Sequence, residues 1–347
     1  MSTLVLVANS GDSTISSYRI DASEGSVRLR PLAISPSAEG CSTFAIDAER
    51  NLVHAAGAGA GEGIHTLSLN RSTGELTQLR VVSAGGPQAY LTLTPDGRHL
   101  LGANYHQGVG LSWPVNDGRV TDPVARVGFP NLHSVLTSAD GRFAYFASLG
   151  ADLIAQYHLG DDGSLSPLPH QTVHAPAGSG PRHLVLNADQ TAVYLVTEFS
   201  GEAIRFARDT TTGELTMAEA VPAFDVTRGL QHSVFGADPR AEHLIWGADL
   251  HLALDQRLLL VSERCESTIA AVRVDESGRL GQVAAITDVP KQPRGFAITP
   301  DGRHAVVVGE LETRACLYRI EGDGRLSLVD EQPCGTKPNW VRMLDLS

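Results

Sequence analysis

TLSLNRSTGELTQL (residues 66–79) and RFARDTTTGELTM (205–217) are copies of one unit: a short alternating strand, a polar turn centred on glycine, and the start of a second strand. Five more copies align with them: SYRIDASEGSVRL (17–29), SWPVNDGRVTD (112–122), QYHLGDDGSLSPL (156–168), AVRVDESGRLGQV (271–283) and LYRIEGDGRLSLV (317–329). The turn glycines are Gly25, Gly74, Gly118, Gly163, Gly213, Gly278 and Gly324, at successive intervals of 49, 44, 45, 50, 65 and 46 residues. Glycine at such a turn supplies a positive φ that other residues reach only with strain.

A second marker precedes most of these turns: apolar strand, Asp-containing turn, apolar strand. LTLTPDGRHLLGAN (91–104) is the clearest example, and the turn aspartates are Asp96, Asp140, Asp189, Asp255 and Asp301. FAIDAERNLVHAAG (44–57) is a looser copy. Each unit therefore reads as four short strands in about 45 residues, the size of a propeller blade. No amphipathic helical period runs through any unit. The expected fold is all-β: a seven-bladed β-propeller with four-stranded blades, as one domain over residues 1–347.

The two ends of the chain complement each other. LVLVANSGDSTISSYRI starts in mid-blade, and PNWVRMLDLS is one strand without the rest of a blade. The C-terminal strand is expected to close the blade that the N-terminus begins, which removes the exposed edges of an open array. The 65-residue interval carries about 20 extra residues, near 222–248, expected to form a long loop over one face.

Composition narrows the function classes. No run of about 18 apolar residues exists, so no membrane span is expected. The N-terminus lacks a basic region and reads as a first strand instead of a secretory signal. Four cysteines without C-x-x-C spacing fit reduced thiols, and hence a cytoplasmic protein. A net charge of −12 argues against nucleic acid or an anionic membrane as partner. It leaves room for a small anionic substrate in a local basic pocket, in a monomer or dimer. AGAGAGEG (56–63) has glycines spaced as in a dinucleotide fingerprint, but no helix follows to hold a pyrophosphate. No G-x-S-x-G elbow or H-E-x-x-H motif occurs, and the histidines show no ligand spacing, so neither cofactor nor metal is expected.

Charged residues break the repeat at particular places. The innermost strand of a propeller blade, with the loop leading into it, faces the central channel. Here those segments are NLHSVLTSADG (131–141), GPRHLVLNADQ (180–190), ADLHLALDQR (248–257) and QPRGFAITPDG (292–302). They place His133, Arg182 with His183, His251 and Arg294 at what read as matching positions in four blades. Each could cap its own blade through backbone carbonyls. Together they point to a shared polar pocket, because unpartnered charges in central strands are costly. Glu198 in LVTEFSG and Arg264 in LVSERCES occupy similar stations after the Asp turn. A carboxylate among arginines stays ionised, and arginines bind carboxylate or phosphate through paired hydrogen bonds.

The segments 133–167, 180–206 and 292–320, with their GPRH and QPRG motifs and PDG turns, resemble the bacterial seven-bladed lactonase family, relatives of the carboxymuconate lactonizing enzymes. The resemblance implies a channel site in which His133, Arg182, Glu198 and Arg264 are catalytic and Arg294 binds substrate. His183 and His251 are expected to bind substrate beside them. It implies hydrolysis of a sugar-acid lactone, with 6-phospho-D-glucono-1,5-lactone as the leading substrate. Water would attack the ring carbonyl while His133 or Glu198 takes its proton, and the arginines would stabilise the oxyanion. Aldaric- or uronic-acid lactones, a muconate-type cycloisomerisation, and a non-catalytic interaction platform are the alternatives. A platform should display outer aromatic patches, and aromatics are only 5% of this chain.

Overall fold

Second strands such as FAYFAS (Phe143–Ser148) and AVYLVT (Ala192–Thr197) are apolar at nearly every position, not alternating, as required of a strand covered on both faces. A computed structural model, describing residues 2–23 and 26–346, shows what covers them. Seven antiparallel sheets stand in a ring, and each innermost strand packs on the innermost strands of the blades on either side. The described core falls into seven clusters, one at each interface between neighbouring blades. Strand alternation decides which interface a side chain enters. In Ser2–Asn9, Leu4, Leu6 and Ala8 face blade two, whereas Val5 and Val7 face blade seven.

Blade five is representative, with strands Pro181–Leu186, Ala192–Thr197, Glu202–Arg208 and Leu215–Pro222 running outward from the channel. The Asp turns link first to second strands. In blades three, four and seven the hydroxyls of Thr94, Ser138 and Thr299 donate to Asp96, Asp140 and Asp301 Oδ1 at 2.5–2.6 Å. The same oxygens accept the amides of Arg98, Arg142 and Arg303. The glycine turns link third to fourth strands. Gly74, Gly118, Gly163, Gly213, Gly278 and Gly324 all take φ between +74° and +96°. Gly25 lies outside the described residues. Blade three departs from the pattern: its outer strand is split into Arg119–Val120 and Ala125–Gly128 around Pro123, which has no amide to donate.

The ring closes as the chain ends require. Pro338–Asp345 becomes the innermost strand of blade one, antiparallel to Ser2–Asn9, with Val7 opposite Val341 and Thr3 opposite Asp345. Trp340 fastens this strand to blade two, its indole Nε1 donating to the Phe44 carbonyl at 3.1 Å in a buried site. Trp340→Phe keeps the ring but strips that carbonyl of its donor. It is expected to lower the unfolding free energy by about 1–3 kcal/mol, read from the denaturant midpoint at unchanged m.

The long connection from Pro222 to Gly247 contains a 3-10 turn, Val226–Arg228, and a four-residue helix, Pro239–Glu242. Arg228 ties it down through Asp225 (3.1 Å), Glu266 (3.4 Å) and Asp288 (2.7 Å). It lies on the face where the chain enters the innermost strands, opposite the Asp and glycine turns.

Candidate active site

Two stations along the blades build this face. The first is a β-bulge at the start of the innermost strand. Pairing with the second strand skips His133 in blade four, Arg182 in blade five and Asn339 in blade one, and jumps from Gly247 to Leu250 in blade six. A bulged residue leaves the ladder, so its side chain is re-aimed from the blade interface. The second station is the residue that follows the second strand: Ala58, Tyr105, Glu198 and Arg264 in blades two, three, five and six. Side chains from both stations surround a cavity of ≈ 420 Å³, which includes Tyr105, His133, Glu198, Trp246, Arg264 and Arg294 in its wall. Larger cavities of ≈ 590 and ≈ 720 Å³ lie between turns on the opposite face, but they gather no buried charged group.

Glu198 is the hub. Its Oε2 accepts from Arg182 Nε and from Arg264 Nη2, both at 2.8 Å. Burial pushes this carboxyl up, but Arg264, Arg182 and Arg294 outweigh it and hold it ionised, below its ordinary value. Arg264 also donates from Nε to the Trp246 carbonyl (3.3 Å) and from Nη2 to the Gly247 carbonyl (3.0 Å). Its guanidinium lies 3.9 Å over the Trp246 ring. Nη1 is left as the Arg264 donor without a protein partner among the described residues.

Arg182 sits behind the wall, not on it, and is 0% exposed. Its Nη1 donates to the Ala248 carbonyl and to His183 Nε2, so it bonds the neighbouring blade and does not cap its own. Burial, then Arg264 and Arg294, push its pKa down to about 9, which leaves it charged at neutral pH. His133 is on the wall and 5% exposed, edge-on to Tyr105 at 5.7 Å and to His183 at 5.2 Å. Its Nδ1 is buried without a partner among the described residues. Burial, and then the charges of Arg182, Arg294 and Arg264, hold its pKa well below the ordinary imidazole value, so the ring is neutral. Arg294 is half-buried on the wall and makes no hydrogen bond or ion pair among the described residues.

The structure thus brings His133, Glu198, Arg264 and Arg294 around one cavity with Arg182 just behind. It does not bring His183 or His251 there. His133, Arg182 and Arg294 each lie seven residues before their turn aspartate, but His251 lies only four before Asp255, so its position does not match theirs. Blade six instead carries Ala248 and Asp249 in the bulge. His251 packs edge-on to Phe296 at 4.7 Å, and its Nε2 is 3.3 Å from Asp249 Oδ2. His183 is 2% exposed, between Tyr90 and Trp340.

Trp246, Tyr105 and Asp249 escaped the sequence reading. Tyr105 was findable, because it follows its second strand just as Glu198 and Arg264 follow theirs. Trp246 ends the long connection, where no repeat register applies. Among the described residues no cluster of three or more His, Cys, Asp or Glu is placed to hold a metal.

The family model described as "Lactonase, 7-bladed beta-propeller" matches residues 7–343. The 6-phosphogluconolactonase of Pectobacterium carotovorum is 29% identical over 280 residues, 79% of each chain. That of Cronobacter sakazakii is 29% identical over 270 residues, 77% of each chain. Among solved structures, the periplasmic gluconolactonase of Pseudomonas aeruginosa aligns over 100% of both chains, with a TM-score of 0.86 and 25% identity.

Proposed function

Because the chain belongs to the seven-bladed β-propeller lactonase family, we propose that it hydrolyses a sugar-acid lactone bearing a second, anionic group, with 6-phosphogluconolactone the first substrate to test. The carrying observation is the wall of the ≈ 420 Å³ cavity, where a neutral His133 stands beside Glu198, Arg264 and an uncommitted Arg294. Water adds to the ring carbonyl carbon as His133 takes its proton. The carbonyl oxygen gathers negative charge, which the partnerless Nη1 of Arg264 faces. When the tetrahedral intermediate collapses, the ring C–O bond breaks and the imidazolium returns its proton to the departing ring oxygen, leaving an open-chain hydroxy acid. Glu198 is a weaker candidate for the base, since its Oε2 is already engaged by two guanidiniums, at 2.8 Å each. Its role in this scheme is to hold Arg264 by one edge. Arg182 anchors Glu198 from behind.

Arg294 receives the substrate's phosphate or carboxylate, because the other two guanidiniums are engaged. Replacing it by methionine is expected to raise KM for a phosphorylated or carboxylated lactone by roughly 10–100-fold, a charge-assisted bond of about 1.5–3 kcal/mol. kcat, and the KM of an uncharged gluconolactone, should change little. An equal KM increase for charged and uncharged lactones would remove Arg294 from anion recognition. The lactone panel, corrected for spontaneous hydrolysis, also tests the reading itself; inactivity on every member would sink it.

All four cysteines are free, as in a reducing compartment, and on that ground we place the protein in the cytoplasm. The Pseudomonas relative is described as periplasmic, so cell fractionation is the deciding measurement.

A further inference from the structure

Asp249 occupies the blade-six bulge, where blades four and five place His133 and Arg182, yet it does not reach the cavity. Both of its oxygens are taken up inside the protein. Oδ1 pairs with His183 Nδ1 at 2.8 Å and accepts the Leu250 amide at 3.0 Å. Oδ2 pairs with His251 Nε2 and accepts the Phe296 amide, each at 3.3 Å. Burial raises this carboxyl, but His251 and His183 more than offset it and keep it ionised. An ionised carboxylate only accepts, so the His183 proton must lie on Nδ1. Nε2 is then a bare lone pair, and it meets Arg182 Nη1, which can only donate, at 3.1 Å. Burial and the Arg182 charge push His183 down to about 3, so this neutral tautomer persists throughout the working pH range.

The direction of each hydrogen bond is therefore fixed: Arg182 Nη1 donates to His183 Nε2, His183 Nδ1 donates to Asp249 Oδ1, and Arg182 Nε donates to Glu198 Oε2. We propose that Asp249 and His183 are positioning residues for catalysis: acting through Arg182, they fix the orientation of Glu198 and thereby of Arg264 on the cavity wall. Neither touches substrate. The consequence for lactone turnover rests on the reading above, whereas the tautomer does not.

Two replacements of His183 separate the roles of its nitrogens. Asparagine places an amide N–H near the Nδ1 position and keeps Asp249, but falls short of Arg182. Glutamine places its amide oxygen near the Nε2 position and keeps the acceptor for Arg182, but releases Asp249. Both delete the ring contacts with Tyr90, Trp340 and His133, so packing loss is matched between them. His183→Asn is expected to lower kcat by roughly 10²-fold with little change in KM, the scale of a misplaced catalytic group. His183→Gln should recover most of that loss, with a melting temperature like that of the asparagine variant.

Histidine ring 15N spectra of the wild-type protein should show His183 as the Nδ1–H tautomer. An Nε2–H tautomer, or equal kcat for the two variants, would overturn the proposal. If the wild-type protein hydrolyses no lactone, the functional reading fails. The tautomer measurement then still decides whether the clamp on Arg182 exists.

Discussion

Replacing His133 by alanine is expected to lower kcat for lactone hydrolysis by about 10²–10⁴-fold, the usual worth of a general base. KM should stay within a few-fold, because Arg264 and Arg294 remain to bind substrate. His133→Gln should be as slow, since an amide fills the site but cannot carry the proton. Crosslinked to this is a pH signature with a definite sign. A base must be unprotonated, so kcat/KM rises with pH through the pKa of free His133 and is flat above it. Burial, Arg182, Arg294 and Arg264 set that pKa well below the ordinary imidazole value, so the plateau should already hold at pH 6.5. An anionic substrate seated on Arg294 offsets part of the positive charge facing His133. The acid limb of kcat should therefore lie at higher pH than that of kcat/KM. Reversal of that order would mean that His133 is not the group titrating. A full-rate His133→Ala would hand the role of base to Glu198.

Much of this candidate site is legible in the sequence because a repeat supplies a register. Seven near-identical turns define what each blade should contain, so His133, Arg182, Glu198, Arg264 and Arg294 stand out as departures from it. Complementary chain ends indicated the ring closure for the same reason. The register fails where the chain leaves it. In blade six the bulge holds Ala248 and Asp249, seven and six residues before Asp255, whereas His251 lies only four before it and pairs in the ladder past the bulge. The connection 222–246 has no counterpart in other blades, and nothing in it marks Trp246 as the surface that Arg264 stacks on. Sequence also cannot tell a group on the wall from one behind it. Arg182 and Arg264 read alike, yet only Arg264 lines the cavity.

That distinction yields the largest stability effect. Arg182 is 0% and Arg264 2% exposed, and both share a single oxygen of Glu198. Breaking a buried ion pair by removing one partner typically costs about 3–5 kcal/mol, because an uncompensated charge stays in a low-dielectric site. Glu198→Ala strands two guanidiniums at once, with Arg294 adding further repulsion, so the upper half of that range is expected in chemical denaturation. Glu198→Gln should fare better, since its carbonyl oxygen can still accept from one arginine. Both variants should lose most activity for one reason: Arg264 loses the edge contact that aims Nη1 at the reacting oxygen. The surplus positive charge makes a second outcome specific to this geometry. Inorganic phosphate should raise the melting temperature of Glu198→Ala more than that of the wild-type protein, since an anion bound only by the folded state stabilises it by mass action. Equal phosphate shifts in both proteins, or a loss below about 1 kcal/mol, would show that the two arginines find other partners when Glu198 is gone. Glu198 would then be one ligand among several, and the arginine orientation that this mechanism requires would have to come from Trp246 and the blade-six carbonyls alone.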